Sequence, residues 1–576
     1  MRIVIKTCCF VIFLNSPFAF QILISQSLLQ IHFRSPVELI RYLRFNYRTG
    51  LVLAFWLPLN AFADQGEATE VSGSGLMVID WVIIVGYACS TLFLGWWFAR
   101  RQKSAKEYFV GSGNMNPLLI GVSLFATLLS TISYMSMPGE SLGKGPVYMS
   151  NYLAYPFIFL VVGFVLLPIY MRQKVTSAYE LLENKLGVSI RLFGAVLFLV
   201  LRLFWMSLLI FLTAKAITIM IGVDESYIPW IVIVTGAFAI TYTSLGGLRA
   251  VVITDLMQTI LLYGGALLVI GTVSVKMGGF GWFPTEWQTN IWDKQPIFPS
   301  DPSTRVSVLG SILSVFIWYC CTSGGDQVSI QRFMATKDAK AARKAIAMQL
   351  TVGMVVGLTL GMTGFALLGY FQSDPSLLPA GMELKENADK IFPHFIAFHL
   401  PPVVSGLVMA GLFAAAMSSI DSGVNSITAV VMTDFLGRFG KKPETERKQV
   451  IFARCLALTI GIIVVLASTL MEYVPGNITA VTTKTVNLLT VPIFILFFFA
   501  LFVPFANTRG VWVGVTCSIW VAVLIAFSGP IFGMNEQGLD PISFQWIAPA
   551  ALVVGVVVGC LACKLFSSSS TERPAS

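Results

Sequence analysis

GLFAAAMSSIDSGVNSITAVVMTDF, residues 411–435, lies inside an apolar run long enough to cross a bilayer, yet it carries Ser418, Ser419, Asp421, Ser422, Asn425, Ser426 and Thr428. Polar groups at bilayer depth cost free energy unless they line a cavity, bind an ion or pair with another helix. On a helix Ser418 and Ser422 fall one turn apart, with Ser419 and Asp421 beside them, so one face becomes a dense oxygen surface. Neutral and weakly charged oxygens of this kind suit a hard cation. Serine and threonine also serve as packing residues between membrane helices. Asp421 weighs against that as the whole explanation.

The rest of the chain is built to match. Of its 576 residues, 56% are hydrophobic and 12% charged, with 44 Phe and a mean hydropathy of +0.79. A soluble domain of this length does not have that composition. Apolar windows of about 20 residues, the length that spans about 30 Å of hydrocarbon, recur about thirteen times after residue 74. They include 76–99, 117–138, 190–221, 226–244, 250–275, 307–325, 402–435 and 477–503. Such long, uniformly apolar segments read as helices rather than barrel strands, so the expected class is an all-α polytopic membrane protein.

A net charge of +9 raises the question of nucleic acid, but the basic residues are sorted by loop. RRQK (100–103), RQK (172–174), QRFMATKDAKAARK (331–344) and GRFGKKPETERK (437–448) alternate with acidic or neutral loops such as DES (224–226) and NEQGLD (535–540). This is the positive-inside pattern, and it puts the residue-75 end outside and the tail CKLFSSSSTERPAS inside. The expected surroundings are a lipid bilayer and a small-molecule solute, with no nucleic acid and no obligatory protein partner. The location is the cell membrane, the inner membrane if the cell is Gram-negative.

Nine cysteines, Cys560 and Cys563 among them as a C-x-x-C, and only three histidines give no cluster typical of zinc or haem. There is no phosphate-binding GxxxxGK[ST] loop and no nucleophile constellation, so neither an ATP-driven pump nor an enzyme is expected. RTGLVLAFWLPLNAFADQ (48–65) resembles a signal peptide cleaved after Ala63. Residues 1–63 are therefore taken as an N-terminal extension.

Two stretches predict irregular helices. SLFATLLSTISYMSMPGE (123–140) interrupts a span with Ser130, Thr131, Ser133, Ser136, Pro138 and Gly139. Broken helices of this sort form the binding elements of secondary transporters; a helix simply ending at Pro138 is the other reading. In GGLRAVVITDLMQ (246–258) a Gly-Gly turn leads into a run that contains Asp255. Gly353, Gly357 and Gly361 repeat at four-residue spacing, which predicts close helix packing.

GGLRAVVITDLMQ, DQVSIQRFMATKDAKAARKA (326–345), AAAMSSIDSGVNS (414–426) and FANTRGVWVGV (505–515) resemble, in this order, signatures of the sodium:solute symporter family. The resemblance runs from about residue 75 to 530 and implies a LeuT-type core of two inverted five-helix repeats. It divides the chain into a leading helix and loop (64–110), a first repeat (111–275), and a second repeat with its preceding loop (276–503). Two trailing helices (504–565) and a cytoplasmic tail (566–576) follow. It further implies a sodium site made by the carbonyls of Ala126, Leu129 and Ala415 and the hydroxyls of Ser418 and Ser419. A second cation, sodium or a proton, would fall on Asp255, Asp421 and Ser422 together with Ser418. Position 421 is Ser in the relatives that have that site. Two carboxylates there would repel, so one is protonated or a cation sits between them.

The cargo is a separate question, because fold does not name it. Arg202 sits about 16 Å along a helix from Arg191, near the midplane. Burial there costs about 2.5–3.5 kcal/mol or more, so Arg202 pairs with a buried carboxylate or meets an anionic solute. Lys215 and Lys484 lie nearer the outer surface and are expected to snorkel. TSAYELLE (176–183) resembles the monocarboxylate, vitamin and iodide branch. The expected function is sodium-coupled import of a small organic anion, with Ser130, Thr131, Ser133, Arg202 and Trp318 facing the solute. A sugar or other neutral solute is the alternative, and a sodium-sensing receptor or channel the alternative of another class.

Overall fold

The structure, a computed structural model, describes residues 76–568 apart from 101–103, 112, 174, 176, 442, 472–477 and 537. The N-terminal extension and its signal-peptide-like segment lie outside the described residues.

The described chain is helical. In order it forms α1 (Val78–Ala99), α2 (Pro117–Leu128), α3 (Thr131–Lys144), α4 (Pro146–Gln173), α5 (Val188–Ile221) and α6 (Ile228–Lys276). There follow α7 (Val308–Gly325), α8 (Gln327–Met334), α9 (Ala339–Ser373), α10 (Ala388–Phe398) and α11 (Val404–Val430). The last four are α12 (Glu446–Ser468), α13 (Ile478–Phe502), α14 (Thr508–Ala526) and α15 (Ile547–Ser568). Among the described residues, 11 helices are long and apolar enough to cross a bilayer, and the bent pair α2–α3 makes a twelfth.

One of the eleven does the work of two. As a straight rod the 49 residues of α6 would measure about 73 Å, more than twice the hydrocarbon thickness. Its backbone leaves helical geometry at Gly247, with φ 61° and ψ 178°. Tyr242 before the kink donates to Asp421 at 2.7 Å, while Asp255 after it accepts from Ser418 at 2.6 Å. Ser418 and Asp421 are neighbouring turns of α11, whereas 13 helical residues would separate Tyr242 from Asp255 by about 20 Å. The chain therefore doubles back at the glycines, as the separate windows 226–244 and 250–275 require.

Each half of the LeuT-type core opens on a broken helix. Asn116 caps α2 and Pro117 occupies its first turn, and the helix ends where Leu129 turns extended. Ser130 restarts the chain as the cap of α3, accepting from the Ser133 amide, and α3 lies at 70° to α2. Pro138 sits inside α3 without ending it. In the second half the break falls at Asp326, whose extended backbone separates α7 from α8 and whose carboxylate caps Val328. Residues 331–344 were expected as a cytoplasmic loop. Instead Gln331–Met334 belong to α8, and every residue of α8 is buried.

Helix α11 lies at the centre: 83% of its spanning window is buried, against 22% for α1. The two meet at their outer ends, where Asp80 of α1 accepts from the amides of Val403 and Gly406 at 2.8 and 2.9 Å. Val403 is held there in a left-handed conformation, φ 74°. The glycine repeat packs as expected, since a side chain on Gly357 would collide with Tyr152 and one on Gly361 with Met149. Trp230, Phe157, Ile260 and Trp520 are exposed on the outer surface, an apolar coat suited to lipid.

Candidate functional site

The break between α2 and α3 faces the oxygen-rich side of α11. A helix end leaves its last carbonyls without intrahelical partners, and the last backbone bond here runs from the Leu129 amide to the Phe125 carbonyl. Ser419 of α11 donates to one of the exposed carbonyls, Thr127, at 3.1 Å. Ser418, one residue back, donates to Asp255 of α6. Ala126, Leu129 and Ala415 are buried in one hydrophobic cluster, and Ser418 and Ser419 are buried as well. All five residues expected at the first sodium site are buried, and Ser419 is the one that contacts the open end of α2 directly.

The second set is arranged differently from a pair of bare carboxylates. Asp255 accepts from Ser123 at 2.5 Å and from Ser418 at 2.6 Å. Asp421 accepts from Tyr242 at 2.7 Å and from Ser422 at 3.3 Å. Between these groups lies Arg332 of α8, fully buried. Its guanidinium donates to Ser123 at 2.8 Å and to Ser422, and it stands 3.5 Å from the Asp255 carboxylate. One positive charge beside the two carboxylates is thus supplied by a side chain of the protein itself. Reading 331–344 as loop hid it; the run of four lysines and arginines that follows, 337–344, carried that reading.

Above these groups, on the side the loop charges place outside, lies a cavity of about 190 Å3. Ser133, Asn151, Trp318, Tyr319 and Asn487 are among its lining residues, so Ser133 and Trp318 stand where a solute-facing role needs them. Ser130 and Thr131 do not line it. Ser130 caps α3 and Thr131 donates to the Leu412 carbonyl at 3.3 Å. Arg202 lines a smaller adjoining space of about 30 Å3, where it forms an ion pair with Asp326. Of the two alternatives for Arg202, the structure shows the buried carboxylate, and the carboxylate is neither Asp255 nor Asp421. Lys484 pairs with Asp540 at 2.5 Å.

The helical span of α11 continues as a wider turn over Val431–Gly437, and this inner end is tied down by ions. Arg191 bridges Asp434 at 2.8 Å and Glu183 at 2.6 Å, and Arg438 also reaches Glu183, at 2.9 Å. The Arg191 hydrogen bond, with the charge of both arginines, holds the Glu183 carboxyl below its ordinary range. Ser177 donates to Asp434 as well. Two residues of TSAYELLE are thus engaged in holding α11 to α5.

A family model described as the sodium:solute symporter family matches residues 108–517, well over half the chain. The chain belongs to the sodium:solute symporter family. It is 30% identical to the sodium/sialic acid symporter SiaT of Proteus mirabilis, over 82% of this chain and 96% of that one. It is 28% identical to the sodium/sialic acid symporter NanT of Aliivibrio fischeri, over 85% and 94%. A solved sodium-coupled sialic acid symporter, substrate-bound and outward-open, superposes with a TM-score of 0.74 at 27% identity, covering 85% of this chain and 98% of that one. As a sodium:solute symporter the chain is a multi-pass membrane protein whose coupling ion is sodium and whose cargo is a small solute.

Proposed function

We propose that this symporter moves its solute by alternating access, with one sodium held by the carbonyls of Ala126, Leu129 and Ala415 and the hydroxyls of Ser418 and Ser419. The observation that carries this is the Ser419 bond to Thr127, which sets the hydroxyl face of α11 against the open end of α2. An ion at that point joins a half-helix of the first repeat to a full helix of the second. Its arrival and departure then bias whether the two halves close or part.

Asp255, Asp421 and Arg332 carry two negative charges and one positive. One further cation, sodium or proton, neutralises the group, with Ser418 and Ser422 as the remaining oxygens. The 190 Å3 cavity is the solute chamber, small beside the roughly 300–1,000 Å3 of drug-sized sites. An organic anion as cargo rested on Arg202 and on TSAYELLE. Arg202 is already neutralised by Asp326, and Ser177 and Glu183 serve the inner ion network.

Uptake into vesicles with and without a sodium gradient tests the reading. Ser418→Ala with Ser419→Ala removes two of five ligands and should raise the sodium concentration for half-maximal uptake about tenfold or more, each tenfold being about 1.4 kcal/mol. Met417→Leu, a volume-conserving change next to them, should leave it in place. Unchanged sodium activation in the double variant would place the ion elsewhere.

A further inference from the structure

Among the described residues, no Asp, Glu, Lys, Arg or His lines the solute chamber. The cations at its borders are already paired, Arg202 with Asp326 and Arg305, next in the chain to the lining Val306, with Glu140 at 2.5 and 3.1 Å. The lining nevertheless holds polar atoms that are buried and have no hydrogen-bond partner in the protein: Asn151 Oδ1, Asn487 Oδ1, Trp318 Nε1 and the hydroxyls of Tyr152 and Thr482. Asn487 is oriented by its other amide atom, Nδ2, which donates to the Thr483 carbonyl at 3.0 Å and leaves Oδ1 to the chamber. Buried polar groups of this kind cost about 1–3 kcal/mol each when left unmade. Five on one small chamber mark what its occupant supplies.

The set is mixed. Two amide oxygens accept, one indole N–H donates, and two hydroxyls do both. A carboxylate only accepts, so it satisfies the indole and hydroxyls and leaves both amide oxygens bare. It would also enter a chamber with no free cation among its described lining residues, where an unpaired charge is costly. Hydroxyl groups on the solute answer all five. The remaining wall mixes serines such as Ser311 and Ser314 with aliphatic and aromatic side chains, and the rings of Tyr148, Tyr155 and Tyr319 give the apolar C–H faces of a ring a surface to lie on. We infer that the chamber takes an uncharged solute rich in hydroxyl groups, a polyol or sugar. The inference rests on the sodium-symport reading above and narrows it. The relatives named above carry sialic acid, so charge, not hydroxyl content, is where this chain would depart from them.

The test uses the full chain in lipid nanodiscs, with the thermal unfolding midpoint read in sodium and in potassium. The neutral probes are D-glucose, D-galactose and myo-inositol; the anionic ones are lactate and N-acetylneuraminate. A ligand of the native state raises the midpoint by mass action. At least one neutral probe should do so in sodium and not in potassium. Asn151→Ala and Asn487→Ala should each weaken its apparent affinity by about tenfold, the scale of one hydrogen bond. Trp318→Phe, which keeps the ring and loses only the N–H, should weaken it as well and covers the case that an asparagine variant fails to fold. Stabilisation by the anions alone, or by none of the neutral probes, overturns the inference. A sodium effect without solute, lost in the Ser418→Ala and Ser419→Ala double variant, leaves the symport reading standing in that event. No sodium effect in the unaltered protein removes both.

Discussion

Arg332 contributes to four helices at once: it extends from α8, bonds Ser123 of α2 and Ser422 of α11, and neutralises Asp255 of α6. Replacing it with Gln leaves buried carboxylates without their counter-ion, a loss on the scale of about 3–5 kcal/mol. Arg332→Gln should therefore lower the unfolding midpoint sharply, and adding Asp421→Asn should recover a good part by removing the excess charge. Strictly additive losses in the double variant would mean that the two groups do not interact. The sequence made the serine face of α11 legible because oxygen atoms at bilayer depth have few explanations. It made Arg202 legible by depth alone. The partner of Arg202 was not, because Asp326 lies 124 residues away and meets it only through the packing of α5 against the α7–α8 break. Arg332 was hidden for a further reason. A basic residue shortly before a basic run reads as the same solvated loop, and only the helical turn of α8 separates the two.

At the scale of an element, the two breaks were unequally visible. The α2–α3 break announces itself by a serine and threonine cluster that competes with the helix for backbone bonds. The α7–α8 break has one Asp after two glycines, and the apolar window before it looks complete without it. The reversal of α6 was readable from Gly246–Gly247 because a membrane caps helix length. Gly247, at φ 61° and ψ 178°, occupies a region almost closed to other residues. Gly247→Ala should cost about 1–3 kcal/mol. Gly264→Ala, farther along α6 where an added methyl meets nothing within 4 Å, should be neutral or stabilising by up to about 1 kcal/mol. Thermal unfolding of the two single variants compares them directly. Equal effects would show that Gly247 is no more than a helix glycine.

For the whole molecule, an uncharged solute has an electrical consequence. With the cation of the Asp255–Asp421 group staying in place, one sodium moving with the solute carries one positive charge per cycle. A tenfold sodium gradient supplies about 1.4 kcal/mol and a 100 mV potential about 2.3 kcal/mol, together enough for a solute ratio of roughly 500. Abolishing the voltage at constant gradient should reduce the steady-state ratio roughly fiftyfold. The measurement is uptake of the neutral probe into proteoliposomes with the potential set by a potassium ionophore. A ratio indifferent to voltage would mean electroneutral transport, as one sodium with a monoanion gives. The order of helices and the family were legible at this scale, since hydropathy and loop charge are written locally. The neutrality of the chamber was not, because its walls come from seven separated stretches of chain.

The Asp80 contact gives α11 a mechanical character. Its outer end is fastened by a carboxylate from outside the paired repeats, around a residue held in a left-handed turn, and its inner end is fastened by Arg191 and Ser177. A post secured at both ends is a stator. The half-helices α2 and α8 meet it through polar contacts, α2 by Thr127 to Ser419 and Ser422, and α8 by Arg332 to Ser422 and Gln331 to Asn425 and Ser426; in an alternating-access cycle these are the contacts that would remake. The proposed sodium site then sits at the bearing between fixed and moving pieces, where a single small ion has the greatest leverage over the stroke.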